Sequence, residues 1–195
     1  MIKRFAESYA DWLKRSPIVS RCLTTGTLVS LGDAIAQNVF NADQPFNWKR
    51  YMRAFVVGSF GTAPNLYLWY MKGLPKIMSH RLFDKCTPFQ RGLISVTLDQ
   101  GIFSWWIISN YLFWVNFYEH FDFSRAFQNV QANLFTALKM NFLYWPMIQF
   151  VNLTYVGILY RVLVVNLASI LWNLYLSYIN QKAKSAQLVP TSKLE

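Results

Sequence analysis

Four apolar stretches, 17–40, 51–73, 89–115 and 147–179, decide what this chain can fold into. Each is longer than the roughly 20 helical residues needed to cross about 30 Å of hydrocarbon. Exposing all four to water would leave too little polar surface to wet a globule. Composition agrees: 54% of the residues are hydrophobic, 18% aromatic and 14% charged, against roughly 25% charged in ordinary soluble domains. Disorder is excluded by the same numbers. Two cysteines, Cys22 and Cys86, cannot form a disulfide framework or a four-cysteine metal centre. The expected fold class is an all-α membrane protein with four transmembrane helices.

Amphipathic helices should accompany the spans. Ile2, Phe5, Tyr9, Trp12 and Leu13 recur at helical spacing among Lys3, Arg4, Lys14 and Arg15, giving an interfacial helix over 1–16. The alternative, a cleaved transit peptide, fits less well with Glu7 and Asp11. A second interfacial helix is expected around 124–144, with Pro146 turning the chain into the last span, and 180–195 reads as a basic, flexible tail. The net charge of +10 is spread between the spans and over the chain ends. That pattern reads as membrane topology and not as a nucleic-acid-binding face. Twelve Lys and Arg fall in the N-terminus, second loop and C-terminus, and five in the first and third loops. With four crossings, both termini then lie on the same, positive-inside side.

The spans are not uniformly apolar. Gly26, Ser30 and Ala34, and Ala54, Gly58 and Gly61, have the small-residue spacing that lets helices approach closely. Asp33, Asp99 and Arg161 lie inside the spans, where a charge costs roughly 2.5–3.5 kcal/mol on insertion scales and calls for a partner or water. Arg21 is close enough to a span end to snorkel. At about 1.5 Å per residue, Asp33 and Arg161 come out at similar depths, so they form the candidate ion pair. Asp33, Gln37, Asp99, Gln100, Asn152 and Arg161 are the candidate pore-lining or intramembrane polar residues. Two readings stand for Asp99: it lines a water-filled path with Gln100, Asp33 and Gln37, or it is capped by hydrogen bonds in a dry bundle. No catalytic constellation, metal-ligand spacing or phosphate loop is present in the sequence, so neither an enzymatic activity nor a cofactor or metal is expected.

The order and spacing of several local patterns resemble one family. These are Tyr9, Leu13 and Pro17; Gly32-Asp33 and Gln37; Arg50, Arg53, Gly58 and Gly61; Pro64 and Trp69-Tyr70; and Asp99-Gln100. Asn141, Trp145-Pro146, Gln149 and Asn152, then Arg161 and the ending from Trp172 to Ser177, continue the match. The chain resembles the 22-kDa peroxisomal membrane protein family (the Mpv-seventeen type), which also has members in the mitochondrial inner membrane. It departs at Ala63, Tyr67, Ser104 and Gly157, where the family has Gly, His, Pro and Pro, so bends need not fall in the same places. The resemblance implies a pore-forming protein passing ions or small metabolites, in the mitochondrial inner membrane or alternatively the peroxisomal membrane. A non-conducting structural protein is the other reading, and a coupled carrier a third. Four close-packed helices fill their own centre, so a homo-oligomer in the lipid bilayer is expected.

Overall fold

The computed structural model describes residues 2–40 and 44–172. The described chain is helical throughout, with no strand among these residues, so the fold is all-α. Helix α1 (Ile2–Arg15) packs Ala10 and Leu13 against α2 and leaves Glu7, Asp11, Lys14 and Arg15 exposed. Helix α2 (Pro17–Phe40) opens on a proline, tolerated at a helix start because that N–H has no partner there.

Helix α3 is the run 48–78, started by Asn47, whose side chain accepts from the Arg50 N–H at 2.9 Å. It is not a regular α-helix. Two π-helical stretches, Val57–Thr62 and Leu68–Gly73, each lead into a short α-helical piece with a proline at its start, Pro64 or Pro75. Proline lacks an N–H and crowds the preceding turn, and a widened turn relieves both faults. Helix α4, the run 88–120, starts in a reciprocal cap between Thr87 and Gln90. It too widens, at Asp99–Phe103, but no proline follows. Ser104 stands there, and its hydroxyl donates to the Gln100 carbonyl. The Ser104 N–H goes to the Asp99 carbonyl in this widened turn, so its hydroxyl takes the Gln100 carbonyl that a regular α-helix would pair with that N–H.

Phe121, in the left-handed region at φ 53°, ends α4, and Asp122 caps helix α5 (Phe123–Tyr155) by accepting from the Arg125 N–H at 3.1 Å. Here the sequence expectation needs correction. The interfacial helix around 124–144 and the start of the last span are one helix, which runs through Pro146 without a break. One missing hydrogen bond does not outweigh the packing on either side, where Tyr144 and Trp145 meet the Trp172 ring. The chain turns at Val156 and Gly157, both extended, followed by the 3₁₀ turn Ile158–Tyr160. Helix α6 then occupies 161–172. The stretch 147–179 is therefore the end of α5 plus the beginning of α6. Residues 173–179, with Tyr175 and Tyr178, and the tail 180–195 lie outside the described residues.

Arg21 reaches the Leu159 carbonyl and Thr25 meets Asn166, so α6 runs beside α2 in the same direction. The sharing of one side by both termini rested on four crossings. With α2 to α6 making five runs, residue 172 heads away from the end where α1 lies. Between α2 and α3 the backbones nearly touch, because a Cβ on Gly58 would sit 3.0 Å from Gly26 Cα.

Among the described residues, no helix is long and apolar enough to cross a membrane. Polarity is instead distributed by depth in the bundle. Ile18, Leu31, Phe60, Ile102, Phe135, Leu143 and Met147 are exposed, while Arg21, Asp99, Gln100, Asn141, Gln149, Asn152 and Asn166 are buried. The apolar cluster of Leu66, Tyr70, Leu74, Phe103, Leu153 and Val162 packs around that polar interior.

Candidate functional site: a buried polar spine

The π turn in α4 carries Asp99, only 2% exposed, into the middle of the bundle. Its Oδ1 accepts from Trp69 Nε1 at 2.9 Å, and its Oδ2 from Gln100 Nε2 at 2.9 Å. Gln100 Oε1 accepts in turn from Asn141 Nδ2 of α5 at 2.8 Å. On the other side, the Tyr70 hydroxyl faces the Asp99 carboxylate and accepts from Gln149 Nε2. Asn152 Nδ2 donates to Gln149 Oε1 at 3.1 Å and to the Arg161 carbonyl at 3.3 Å. α3, α4, α5 and α6 are thereby joined through one chain of side chains, from Asn141 through Asp99 to the α5–α6 turn. Asn152 Oδ1 is buried and has no hydrogen-bond partner.

Local structure explains why these groups converge. Trp69 and Tyr70 sit in one π stretch and Asp99 and Gln100 in another, and a π turn rotates side chains off the regular helical face. Trp69 also lies flat on Phe103, with ring centroids 5.0 Å apart and planes within 3°. These two rings line an open groove of about 330 Å³ on the outer face, together with Asn65, Leu68, Ile102 and Trp106. Trp69 thus touches the exterior with one face while its N–H holds the buried carboxylate.

Asp33 and Gln37 belong to a different cluster. Arg50 Nε lies 2.6 Å from Asp33 Oδ1, Gln37 Nε2 donates to Asp33 Oδ2 at 2.7 Å, and Gln37 Oε1 accepts from the Asn47 N–H at 2.7 Å. This cluster ties the end of α2 to the start of α3, and Arg53 with Glu119 at 3.5 Å ties α3 to α4 beside it. Arg50 and Trp69 are 19 residues apart on α3, about 28 Å at the usual helical rise. Asp33 and Asp99 therefore sit at different depths in the bundle, in two separate hydrogen-bonded clusters.

The expected Asp33–Arg161 pair does not form. Depth matching had counted back along one straight last helix, and the break at 156–160 moves Arg161 to the other end. Its guanidinium donates to the carbonyls of Leu153 at 2.9 Å and Val156 at 3.3 Å, which α5 leaves without helical partners. The same break brings Asn152 and Arg161 together, although a straight helix would turn them apart. Sequence reasoning also missed Arg21, which is 2% exposed and does not snorkel. Its Nη1 donates to the carbonyl of Pro17 at 2.8 Å, and its guanidinium lies over the Tyr67 ring at 5.4 Å. No group of three or more His, Cys, Asp or Glu able to hold a metal occurs among the described residues.

Polar groups gathered inside an apolar exterior are the hallmark of helical membrane proteins, in which charged side chains face the bundle interior. Comparison with known sequences agrees with that class. The sequence model of the Mpv17 / PMP22 family matches residues 116–177. Protein SYM1 of Candida albicans is 34% identical, covering 94% of this chain and all of its own length (100%). Mitochondrial inner membrane protein Mpv17 of Caenorhabditis elegans is 27% identical over 87% of this chain and 90% of its own. Peroxisomal membrane protein 2 of Bos taurus is 25% identical over 92% and 91%. No solved structure matches. The chain belongs to the Mpv17 / PMP22 family, whose members include proteins named for the two membranes expected from the sequence.

Proposed function

We propose that this chain is a multi-pass protein of the mitochondrial inner membrane whose helical bundle provides a passive route for ions or small metabolites. The observation that carries the reading is the polar spine from Asn141 through Asp99 to Asn152, enclosed by outward-facing Trp, Phe, Leu and Ile side chains. Carboxylates inside membrane bundles commonly mark ion or solute pathways, and an unsatisfied acceptor such as Asn152 Oδ1 suits a passing cation or water. Helices α2 to α5 supply four crossings on this reading, with α6 re-entering beside α2. The chain acts without enzymatic chemistry and works as a homo-oligomer, because the spine's side chains fill the space inside a single bundle.

That filling favours a second reading, a non-conducting bundle that supports membrane structure. The groups around Asp99 satisfy one another, as a dry core requires. Purified protein in liposomes separates the two. Leak of small solutes without a coupling ion supports the channel, ion-coupled uptake supports a carrier, and no flux under any potential supports the scaffold.

A further inference from the structure

We propose that the groove between α3 and α4 seats one acyl chain of an anionic phospholipid whose headgroup is held by Lys72 and Lys76. The proposal rests on the membrane placement of the bundle and not on its conducting. The groove has a volume of about 330 Å³, within the roughly 300–1,000 Å³ usual for small-ligand sites. Its polar side chains are already engaged within the protein. Trp106 Nε1 donates to Asn65 Oδ1 at 2.7 Å, Asn65 Nδ2 to the Gly61 carbonyl at 2.7 Å, and Trp69 Nε1 to Asp99 Oδ1 at 2.9 Å. What remains for an occupant is the apolar surface of Leu68, Ile102, Phe103 and the indole rings. That surface matches hydrocarbon and would leave the polar groups of a ligand unpaired. Ile102 and Phe103 stand within two residues of the centre of the run 88–120, so on the membrane reading the groove opens near mid-bilayer.

The outer face of α3 leads from this groove to a pair of cations. Along 66–78 Leu66, Tyr70, Leu74 and Met78 are buried, while Leu68, Lys72 and Lys76 are exposed. Each series repeats every four residues, so the two occupy opposite faces of the helix. Leu68 of the groove, Lys72 and Lys76 therefore stand in one row. Lys76 is eight residues beyond Leu68, roughly 12 Å at the usual helical rise. Half the hydrocarbon thickness is about 15 Å, and lysine stems lie along apolar surface and carry their ammonium groups further out. These depths fit a lipid with its chain end in the groove and its phosphate at the lysines.

Charge selects the lipid. Among the described residues the ion pairs engage Lys14, Arg50 and Arg53, and neither Lys72 nor Lys76 has a carboxylate partner. Between 72 and 98 the sequence holds five Lys and Arg, with Asp84 the only acid. A zwitterionic headgroup brings its own ammonium to such a row, whereas an anionic one brings uncompensated negative charge. A seated chain touches Trp69, which donates to Asp99, and also Ile102 and Phe103, which belong to the same π turn as Asp99. The lipid thus contacts both elements that position the buried carboxylate.

The test uses the full chain in phosphatidylcholine nanodiscs in which a small fixed fraction of lipid is brominated at mid-chain, either as phosphatidylglycerol or as phosphatidylcholine. Bromine quenches tryptophan emission at close range, and Trp69 and Trp106 line the groove. Brominated phosphatidylglycerol should quench more than brominated phosphatidylcholine at the same fraction, and Trp106→Phe should shrink that excess. Lys72→Gln and Lys76→Gln should each weaken the preference about fivefold. Lys49→Gln combined with Arg125→Gln removes as much charge as the two lysine changes together, at exposed positions at the other end of the bundle, and should leave the preference intact. Equal quenching by the two lipids in inserted wild-type protein would overturn the site while leaving the membrane placement standing. So would an excess that survives the lysine variants or Trp106→Phe, or one that the Lys49 and Arg125 changes abolish equally. A chain that does not insert into the discs would overturn the placement and the site together.

Discussion

Replacing Gly58 with alanine adds one methyl group at the tightest point of the α2–α3 crossing. That methyl would lie 3.0 Å from Gly26 Cα, 3.1 Å from Val29 Cβ and 3.2 Å from the Thr25 carbonyl oxygen. None of these is the loose end of a long side chain, so the helices themselves must separate by a few tenths of an ångström. Overpacking of this kind costs about 1–3 kcal/mol. In a chain of this length each kcal/mol corresponds to roughly 2–4 °C, so the unfolding temperature in detergent should fall by roughly 2–12 °C. Gly101→Ala is the matched control, because nothing lies within 4 Å of its added Cβ. Gly101→Ala should unfold within a degree or two of wild type. Equal unfolding temperatures for the two variants would refute the close crossing and the small-residue argument with it.

Other perturbations probe the polar clusters. Trp69→Phe keeps the ring stacked on Phe103 but removes the Nε1–H that Asp99 accepts, so thermal unfolding should register a loss of about 1–3 kcal/mol. Arg50→Gln and Asp33→Asn should each cost about 1 kcal/mol, a modest figure because Arg50 is 39% exposed, and the double variant should cost less than their sum. Arg161→Gln in the same cycle should be additive with Asp33→Asn, since the two residues do not touch; strong coupling between them would contradict the described arrangement.

What could be read in advance divides along physical lines. Helix α2 coincides with 17–40, and α3 and α4 contain 51–73 and 89–115, because helix starts such as Pro17 and Pro88 are properties of local sequence; that these helices cross a membrane is not among what the described residues establish. Gly26 and Gly58 were legible as packing positions for the same reason. Pro146 was misjudged because proline's cost is local, while the ring packing of Tyr144, Trp145 and Trp172 that holds α5 straight is tertiary. The partner of Asp33 was misassigned because a depth count assumes an unbroken helix, and Gly157 sits where that assumption fails. Asp99 and Gln100 were recognised as polar groups in a span, but their links to Trp69 and Asn141 depend on π turns. The bonded Ser104 makes such a turn without the proline that would have advertised it. Asn141 had been assigned to the headgroup layer and is 7% exposed in the interior. Arg21 was given the ordinary fate of a near-terminal arginine, and only the fold of α1 over it makes it buried.

The central claim is that Asp99 and its partners lie on a route through the membrane, and single-channel recording of Asp99→Asn in planar bilayers addresses it most directly. Asparagine preserves size and one accepting oxygen, for Trp69, while removing the negative charge and the second acceptor that Gln100 uses. The account predicts a changed unitary conductance and a reversal potential displaced away from cation preference. Wild-type channels with the same conductance and reversal potential as Asp99→Asn, both proteins being folded, would contradict it.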